Sequence, residues 1–142
     1  MRQVKHLLEG KGVQVYSVEP DQPVLQAIQS MADHHVGALL VMQGRELVGI
    51  VSERDYARKV ILLGRSSAET PVWQIMSAPV ETVAPDHSVD ECMRLCTERR
   101  IRHLPVVAQG EVVGVISIGD LVKAVIDEQA EELAQLQRYI AG

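Results

Sequence analysis

The chain repeats itself at an interval of 65 residues, and this duplication limits the folds that it can adopt. Residues 15–56 align with residues 80–121 without a gap, and 12 of the 42 aligned pairs are identical. The identical pairs include proline, glycine and aspartate residues, which mark turns and helix starts. Because a gapless match of this length indicates duplication, we expect two copies of one structural unit.

Each copy opens with a strand and a helix. The strands are predicted at 13–18 ("VQVYSV") and 79–84 ("PVETVA"), and each leads into a Pro-Asp turn. Apolar residues at helical spacing follow over 23–35 and 88–100. Both copies are therefore expected to begin as strand, turn and helix.

A hairpin and a closing helix complete each copy. Two apolar strands are separated by the turns "QGRE" and "AQGE", in which glycine is expected where the backbone needs positive φ. The closing helix is predicted from 53 to about 62 in the first copy and from 118 to about 138 in the second. The fold class is therefore α+β, with two β-α-β-β-α repeats packed about a pseudo-twofold axis. Such packing creates two equivalent clefts.

Composition and charge argue against several classes of function. No apolar run approaches the length of a membrane span, and the N-terminal segment lacks the apolar core of a signal peptide, so we expect a cytoplasmic protein with no membrane partner. The net charge of −5 and the few aromatic residues (no Phe, one Trp and three Tyr) argue against nucleic acid as the main partner.

The two cysteines, Cys92 and Cys96, lie four residues apart in a predicted helix. They could hold half of a metal site, but no second pair of ligands completes it. We therefore expect no metal, and two reduced thiols of which one or both are buried.

The most specific motif is the end of each apolar hairpin. "VGIVSERD" at 48–55 and "VGVISIGD" at 113–120 both show Gly, two apolar residues and Ser-x-x-Asp. Together with "IRHLPVV" at 101–107, they resemble the CBS (cystathionine-β-synthase) domain family in its tandem form, the Bateman module. The resemblance covers roughly residues 7–130.

We divide the chain into five segments on this basis. They are an N-terminal helix or leader (1–12), the first repeat (13–64), a linker with the start of the second repeat (65–79), the second repeat (80–130) and a C-terminal helix extension (131–142). The extension continues an interrupted apolar stripe. Its residues are expected to meet another subunit or to lie along the partner repeat.

The resemblance implies a stand-alone, non-catalytic regulatory module. Family modules bind adenosine-containing ligands, so AMP, ADP, ATP or NAD is the expected regulatory ligand, and S-adenosylmethionine is an alternative. No catalytic cofactor is expected. Modules of this family often pair into a flat, disc-like dimer, so a homodimer and an unidentified regulated protein are the expected partners.

By the same resemblance, each cleft joins the Ser-x-x-Asp of one repeat to the first and second strands of the other. The aspartate, which only accepts hydrogen bonds, would hold the ribose diol, and the serine with the N–H groups of the helix start would hold the phosphate. The first cleft combines Ile50, Ser52, Arg54 and Asp55 with Thr82, Ile101, Arg102 and His103. The second cleft combines Ser17, Val36, Gly37 and Ala38 with Val115, Ser117 and Asp120.

The two clefts differ in charge. Arg102 and His103 belong to the first cleft, at positions where the second has Gly37 and Ala38. A guanidinium binds phosphate in a bidentate manner, so the first cleft is expected to bind phosphorylated adenosine more tightly. The second is expected to take a larger or less charged ligand, or to stay empty.

Other interpretations of the same residues stay open. Ser-x-x-Asp is also a capping box that starts a helix, a role compatible with ribose binding. The chain also fits an interaction or structural protein with vestigial clefts, or a binder of S-adenosylmethionine or nucleic acid. An enzyme is disfavoured because no Walker loop, catalytic triad or carboxylate pair is evident, and His103 is the one plausible base in a predicted cleft.

Overall fold

The computed structural model describes residues 2–12 and 14–141, which form two compact units. The continuous unit runs from Val15 to Glu81. The discontinuous unit joins the segment before Val15 to the residues from Thr82 onward. The prediction of a mixed helix and strand fold in two repeats is confirmed.

The continuous unit contains a three-stranded sheet in the order β1-β2-β3. β1 runs parallel to β2, and β2 and β3 form an antiparallel hairpin. The apolar face of α2 is buried in the core of this unit. The elements are β1 Ser17–Val18, α2 Val24–His34, β2 Ala38–Gln43, β3 Glu46–Ser52, α3 Glu53–Tyr56, a π-helical turn Ala57–Ile61 and a 3₁₀ turn Val72–Gln74.

The discontinuous unit contains an antiparallel hairpin, β4-β5, with helices packed against it. The element α1 comes from the N-terminal segment, and the other elements come from the second repeat. The elements are α1 Val4–Lys11, α4 Val89–Arg99, β4 His103–Ala108, β5 Glu111–Ser117 and α5 Ile118–Ala141. No helix among the residues described is long and apolar enough to cross a membrane.

The first strand of each copy is shorter than predicted. In the continuous unit, the prediction for 13–18 is confirmed only at Ser17–Val18, and its first residue, Val13, lies outside the described residues. In the second copy, the predicted strand at 79–84 is wrong, because among these residues a single bridge at Val83 is all that pairs with β4. The Pro-Asp turn that follows limits the pairing, since proline has no N–H to donate to a strand ladder.

The hairpins and closing helices follow the prediction with two differences. Gly44 and Gly110 have positive φ, at 64° and 78°, as the turns require. The helix predicted from 53 to about 62 is α-helical for its first turn and then widens into the π-helical turn. The helix predicted from 118 to about 138 continues to Ala141.

The segment predicted as a linker packs into the core of the continuous unit. Val72 and Ile75 are fully buried there, and the N–H of Val72 donates to the carbonyl of Gln22. The segment therefore completes the apolar cluster of the first repeat. The composition of "LLGRSSAETPVW" favours a loop because it is rich in Gly, Ser and Pro, but composition does not show which apolar residues find a core.

The helix α1 has the same role in the discontinuous unit. Val4 and Leu8 are buried in its core, and the N–H of Val4 donates to the carbonyl of His87. His87 corresponds to Gln22 in the repeat, so "VKHLL" at 4–8 is the counterpart of "VWQIM" at 72–76. These two stretches are 68 residues apart, whereas the repeats are offset by 65 residues. A gapless alignment of the repeats therefore does not pair them.

The motif glycines, Gly49 and Gly114, allow these segments to approach the hairpins. A Cβ placed on Gly114 would lie 2.6 Å from Cδ2 of Leu8, and one on Gly49 would lie 2.4 Å from Sδ of Met76. Both distances are too short for carbon or sulfur atoms that are not bonded. Any larger residue at Gly114 or Gly49 would therefore force the side chain of Leu8 or Met76 to move.

The predicted burial of the cysteines is confirmed in the core of the discontinuous unit. Cys92 and Cys96 are free and buried on the inner face of α4. Burial, with smaller effects from the charges of Cys96 and Glu91, raises the pKa of the Cys92 thiol to about 11. A thiol of this kind is inert as a nucleophile at neutral pH.

Candidate ligand-binding site

The two Ser-x-x-Asp sequences form capping boxes, as the sequence predicts. The N–H of Ser52 donates to Oδ2 of Asp55 at 3.0 Å, and the N–H of Asp55 donates to Oγ of Ser52 at 3.2 Å. Ser117 and Asp120 repeat this arrangement at 2.8 and 3.2 Å. Each carboxylate is therefore fixed at the start of a helix by the backbone.

The start of the second strand of each repeat lies beside its capping box. Ala38 pairs with Ser52 across the hairpin, and the carbonyl of Gly37 accepts from the N–H of Glu53 at 3.1 Å. In the discontinuous unit, His103 pairs with Ser117 in the same register. There the carbonyl of Arg102 accepts from the N–H of Ile118 at 2.8 Å.

These bonds correct the expectation that the helix starts offer several donors to a phosphate. In the continuous unit, the N–H groups of Ser52, Glu53 and Asp55 all donate within the unit, and the Ser52 hydroxyl donates to Asp55. The same three N–H positions are used in the discontinuous unit. Because the capping box and a carbonyl beside the second strand use these donors, a phosphate would depend mainly on cationic side chains.

In the continuous unit, the predicted site residues lie at one end of the sheet. Ser17 in β1 pairs with Leu40 in β2, and Leu40 pairs with Ile50 in β3. The backbone N–H and carbonyl of Ile50 are both bonded to Ser77, at 3.1 and 2.8 Å. The half-buried residues at this end are Val36, Gly37, Ala38, Ile50, Ser52, Arg54 and Asp55, and Ser17 is exposed.

The discontinuous unit gathers the corresponding residues at its own hairpin. Thr82 is exposed and precedes the bridge at Val83, and Ile101 packs against the core. The side chain of Arg102 is exposed, whereas its carbonyl is bonded to the start of α5. The half-buried residues here are Ile101, His103, Val115, Ser117 and Asp120.

Each unit therefore carries half of each predicted cleft. The end of the continuous sheet contains Ser52 and Asp55 of the first cleft next to Gly37 and Ala38 of the second. The packing about a pseudo-twofold axis, and the combination of residues across repeats, stay predictions.

Sequence reasoning missed a lysine at each carboxylate. Nζ of Lys59 lies 3.2 Å from Oδ1 of Asp55, one helical turn away in the same segment. Nζ of Lys11 lies 2.6 Å from Oδ2 of Asp120. The spacing of four residues could have indicated the first pair. No local pattern indicates the second pair, because its partners are more than 100 residues apart.

The environment of Asp120 keeps its carboxyl ionised. Burial by itself would raise the pKa of this group. The hydrogen bond and the charge of Lys11, with the hydrogen bonds from Ser117, outweigh burial and hold the pKa of Asp120 below its ordinary value. The carboxylate is therefore a ready acceptor for hydroxyl or ammonium donors at neutral pH.

The two repeats each carry a Ser-x-x-Asp capping box between the hairpin and the closing helix. This arrangement is the tandem module that the sequence resembles. Residues 11–61 and 72–127 match the family model of the CBS domain. The chain therefore belongs to the CBS domain family and carries a pair of these domains. CBS-pair proteins are generally regulatory ligand-binding modules and are typically not catalytic.

Known proteins of this family resemble the chain closely. The chain is 46% identical over 127 residues to the mitochondrial CBS domain-containing protein CBSX3 of Arabidopsis thaliana, with 86% of the chain aligned, and it spans only 62% of the length of that relative. A solved CBS-domain protein from Burkholderia ambifaria is 50% identical, with a TM-score of 0.87 over 90% of this chain and 96% of that one.

A third neighbour was solved with ligands. The CBS domain pair of the protein MJ0100, in complex with 5-methylthioadenosine and S-adenosyl-L-methionine, has a TM-score of 0.80 over 90% of this chain and 98% of that one. It is 22% identical, so this likeness shows the shared fold alone.

Proposed function

We propose that the chain is a non-catalytic regulatory module that binds an adenosine-containing ligand (AMP, ADP, ATP or NAD) in the clefts between its two repeats. The ligand would act by changing the arrangement of repeats or subunits, and so control an unidentified protein in the cytoplasm. The observation that carries this proposal is the duplicated Ser-x-x-Asp, whose carboxylate is oriented by the backbone at the end of each hairpin.

The carboxylates of Asp55 and Asp120 have the chemistry that a ribose diol needs. A carboxylate has two oxygens with about four acceptor positions and can accept from two neighbouring hydroxyls. The capping bonds fix Asp55 and Asp120 in one orientation before a ligand arrives. Less side-chain freedom is then lost on binding, which favours affinity.

Arg102 and His103 give the first cleft its proposed preference for a phosphorylated ligand. The exposed guanidinium of Arg102 can reach solvent-borne anions, and Arg54 in the continuous unit can add a second cation. Because the capping boxes use most N–H groups of the helix starts, these side chains are the main source of phosphate donors. The corresponding Gly37 and Ala38 have no such groups.

A binding screen tests the proposed function. Ligand released from the purified protein is identified by mass spectrometry, and thermal shift is measured with AMP, ADP, ATP, NAD and S-adenosylmethionine. A stabilisation by one of the first four supports the proposal, since a ligand that binds only the folded state raises its stability. Flat traces with every ligand would favour an interaction or structural protein. Stabilisation by S-adenosylmethionine alone would reassign the ligand.

Arg102→Ala is expected to weaken AMP binding by about tenfold or more and to leave adenosine binding within about twofold, because one charge-assisted bond to phosphate contributes roughly 1.5–3 kcal/mol. The fold should be kept, since Arg102 contacts the start of α5 through its carbonyl. Isothermal titration with both ligands measures the difference.

Arg94→Ala is the matched control for this experiment, because Arg94 is exposed on α4 and belongs to neither predicted cleft. It should leave both affinities unchanged. An equal loss for AMP and adenosine in Arg102→Ala would contradict the phosphate assignment. Two equal sites for AMP in the wild-type protein would contradict the difference between the clefts.

The second half of α5 supports the proposed homodimer. Residues 129–141 are exposed along their whole length, including Leu133, Leu136 and Ile140. With Val122 and Ile126, these residues recur at intervals of three and four, interrupted at Gln129. Such a stripe matches the seam by which two helices of the same kind pair. We propose that the same stripe of a second copy of the chain packs against it.

Replacing both Leu133 and Leu136 with aspartate is therefore expected to convert the dimer to a monomer. Two carboxylates in an apolar seam would have to lose their hydration without gaining a partner. Light scattering coupled to size-exclusion chromatography should show the mass of one chain. Gln135→Asp, on the opposite side of the same helix, should leave the mass unchanged. A wild-type protein that is monomeric at micromolar concentration would refute the proposed dimer.

A further inference from the structure

The ammonium of Lys11 binds two groups that are assigned to the second cleft. Its Nζ donates to Oδ2 of Asp120 at 2.6 Å and to the carbonyl of Val115 at 3.0 Å. Both acceptors therefore lie close enough together for one nitrogen to reach both. A ribose diol also presents two neighbouring donors, so it would seek the same kind of paired acceptors.

The continuous unit has a different arrangement at the corresponding positions. The carbonyl of Ile50, which corresponds to Val115, accepts from the backbone N–H of Ser77 at 2.8 Å. Lys59 contacts Asp55, but its other acceptor is the carbonyl of Ile75, which belongs to neither predicted cleft. Among the residues described, only the second cleft has a single ammonium that donates both to its carboxylate and to its strand carbonyl.

The position of Lys11 is set by the docking of α1. Val4 and Leu8 anchor α1 in the core, and Arg2 forms ion pairs with Asp127 and Glu131 of α5. Lys11 is the last residue of α1, so its ammonium is delivered to the beginning of α5.

The side chain of Lys11 can nevertheless leave Asp120 while α1 stays docked. It is 41% exposed, and it borders a groove of about 730 Å³ between α1 and α5. An ammonium that moves into this groove regains water. The exchange of its two protein acceptors for water costs little, as is usual for ion pairs near the surface.

We propose that Lys11 is an intramolecular competitor for the second cleft: its ammonium occupies the Asp120 carboxylate and the Val115 carbonyl until the ribose of an adenosine ligand displaces it. This inference rests on the proposed function, because it concerns one of the two proposed clefts. It adds a second reason to expect weaker binding at the second cleft: besides the lack of cations at Gly37 and Ala38, an ammonium of the same chain occupies the acceptors.

Lys11→Met is the variant that tests this competition. Methionine keeps an unbranched stem and a high helix propensity but has no charge to offer to Asp120. The probe is adenosine, which is neutral, so that loss of a positive charge does not change its long-range attraction to the protein. The Asp55→Asn background weakens the first cleft and makes binding at the second visible.

Asp55→Asn/Lys11→Met is expected to bind adenosine about twofold to fivefold more tightly than Asp55→Asn in isothermal titration, because the ligand no longer displaces an ion pair near the surface. Adding Asp120→Asn should abolish the gain. Lys5→Met removes the same charge from an exposed position near the opposite end of α1 and should give no gain. Lys11→Gln is the second variant if the methionine variant does not fold.

The outcomes separate the two proposals. Unchanged or weaker adenosine binding after removal of Lys11, in a protein whose wild type binds adenosine, would overturn the competition and leave the proposed function in place. Failure of adenosine to bind the wild type and both Lys11 variants would overturn the competition and the adenosine assignment together. Binding that becomes detectable only after Lys11 is replaced would support the competition directly.

Discussion

Asp55→Ala is expected to weaken the binding of adenosine and AMP at the first cleft by about tenfold to a hundredfold. The substitution removes up to two charge-assisted hydrogen bonds to the ribose, at roughly 1.5 kcal/mol each. It also removes the acceptor for the N–H of Ser52, so part of the effect would be a weaker start to α3. Isothermal titration and thermal unfolding should therefore be measured on the same protein.

Asp55→Asn separates the two roles of this residue. An asparagine retains a carbonyl oxygen that can accept from the N–H of Ser52, but it has no charge and no second acceptor oxygen. We expect its stability to lie near the wild-type value and its affinity to fall almost as far as that of Asp55→Ala. If affinity followed stability across the two variants, the ribose assignment would be wrong and capping would be the whole role of Asp55.

Gly114→Val is expected to lower the free energy of unfolding of the discontinuous unit by about 1–3 kcal/mol, the usual cost of overpacking a core. Its Cβ would overlap Leu8, which is itself buried and has little room to move. The unfolding midpoint should fall by roughly 3–12 °C for a chain of this size. Amide hydrogen exchange should show lost protection in α1, because the clash acts on that helix.

Two further variants locate the cause of this effect. Leu8→Ala in the Gly114→Val background should destabilise less than the two single effects added together, since it removes the clashing atoms. Gly10→Ala lies on the same helix, where an added Cβ meets nothing within 4 Å, and it should be neutral or stabilising. Additive effects of Gly114→Val and Leu8→Ala would contradict the close approach of α1 to β5.

The parts of the fold that could be predicted from the sequence depend on neighbouring residues. The capping boxes, the hairpin glycines and the helix at Val24–His34 each follow from residues within a few positions of one another. The apolar pattern at 79–84 predicts a full strand, but a strand also needs a partner, and the hairpin pairs with this segment only at Val83.

The parts that could not be predicted depend on distant packing. Nothing in "VKHLL" states that Val4 and Leu8 complete the core of the second repeat, since their partners lie far along the chain. The ion pair of Lys11 with Asp120 follows from that docking, so it was missed for the same reason. The motif indicates more phosphate donors than the helix starts offer, because the capping box itself uses the N–H groups of Ser52 and Asp55.

The docking of α1 on the second repeat also orders events during synthesis. Leu8 leaves the ribosome early, but the strand that carries Gly114 is made roughly 100 residues later, a delay of about 5–20 s at ordinary translation rates. During this interval the apolar face of α1 has no native surface to cover it, and the first repeat can already form around its own sheet. A nascent chain is therefore expected to need protection of α1 until β5 has emerged.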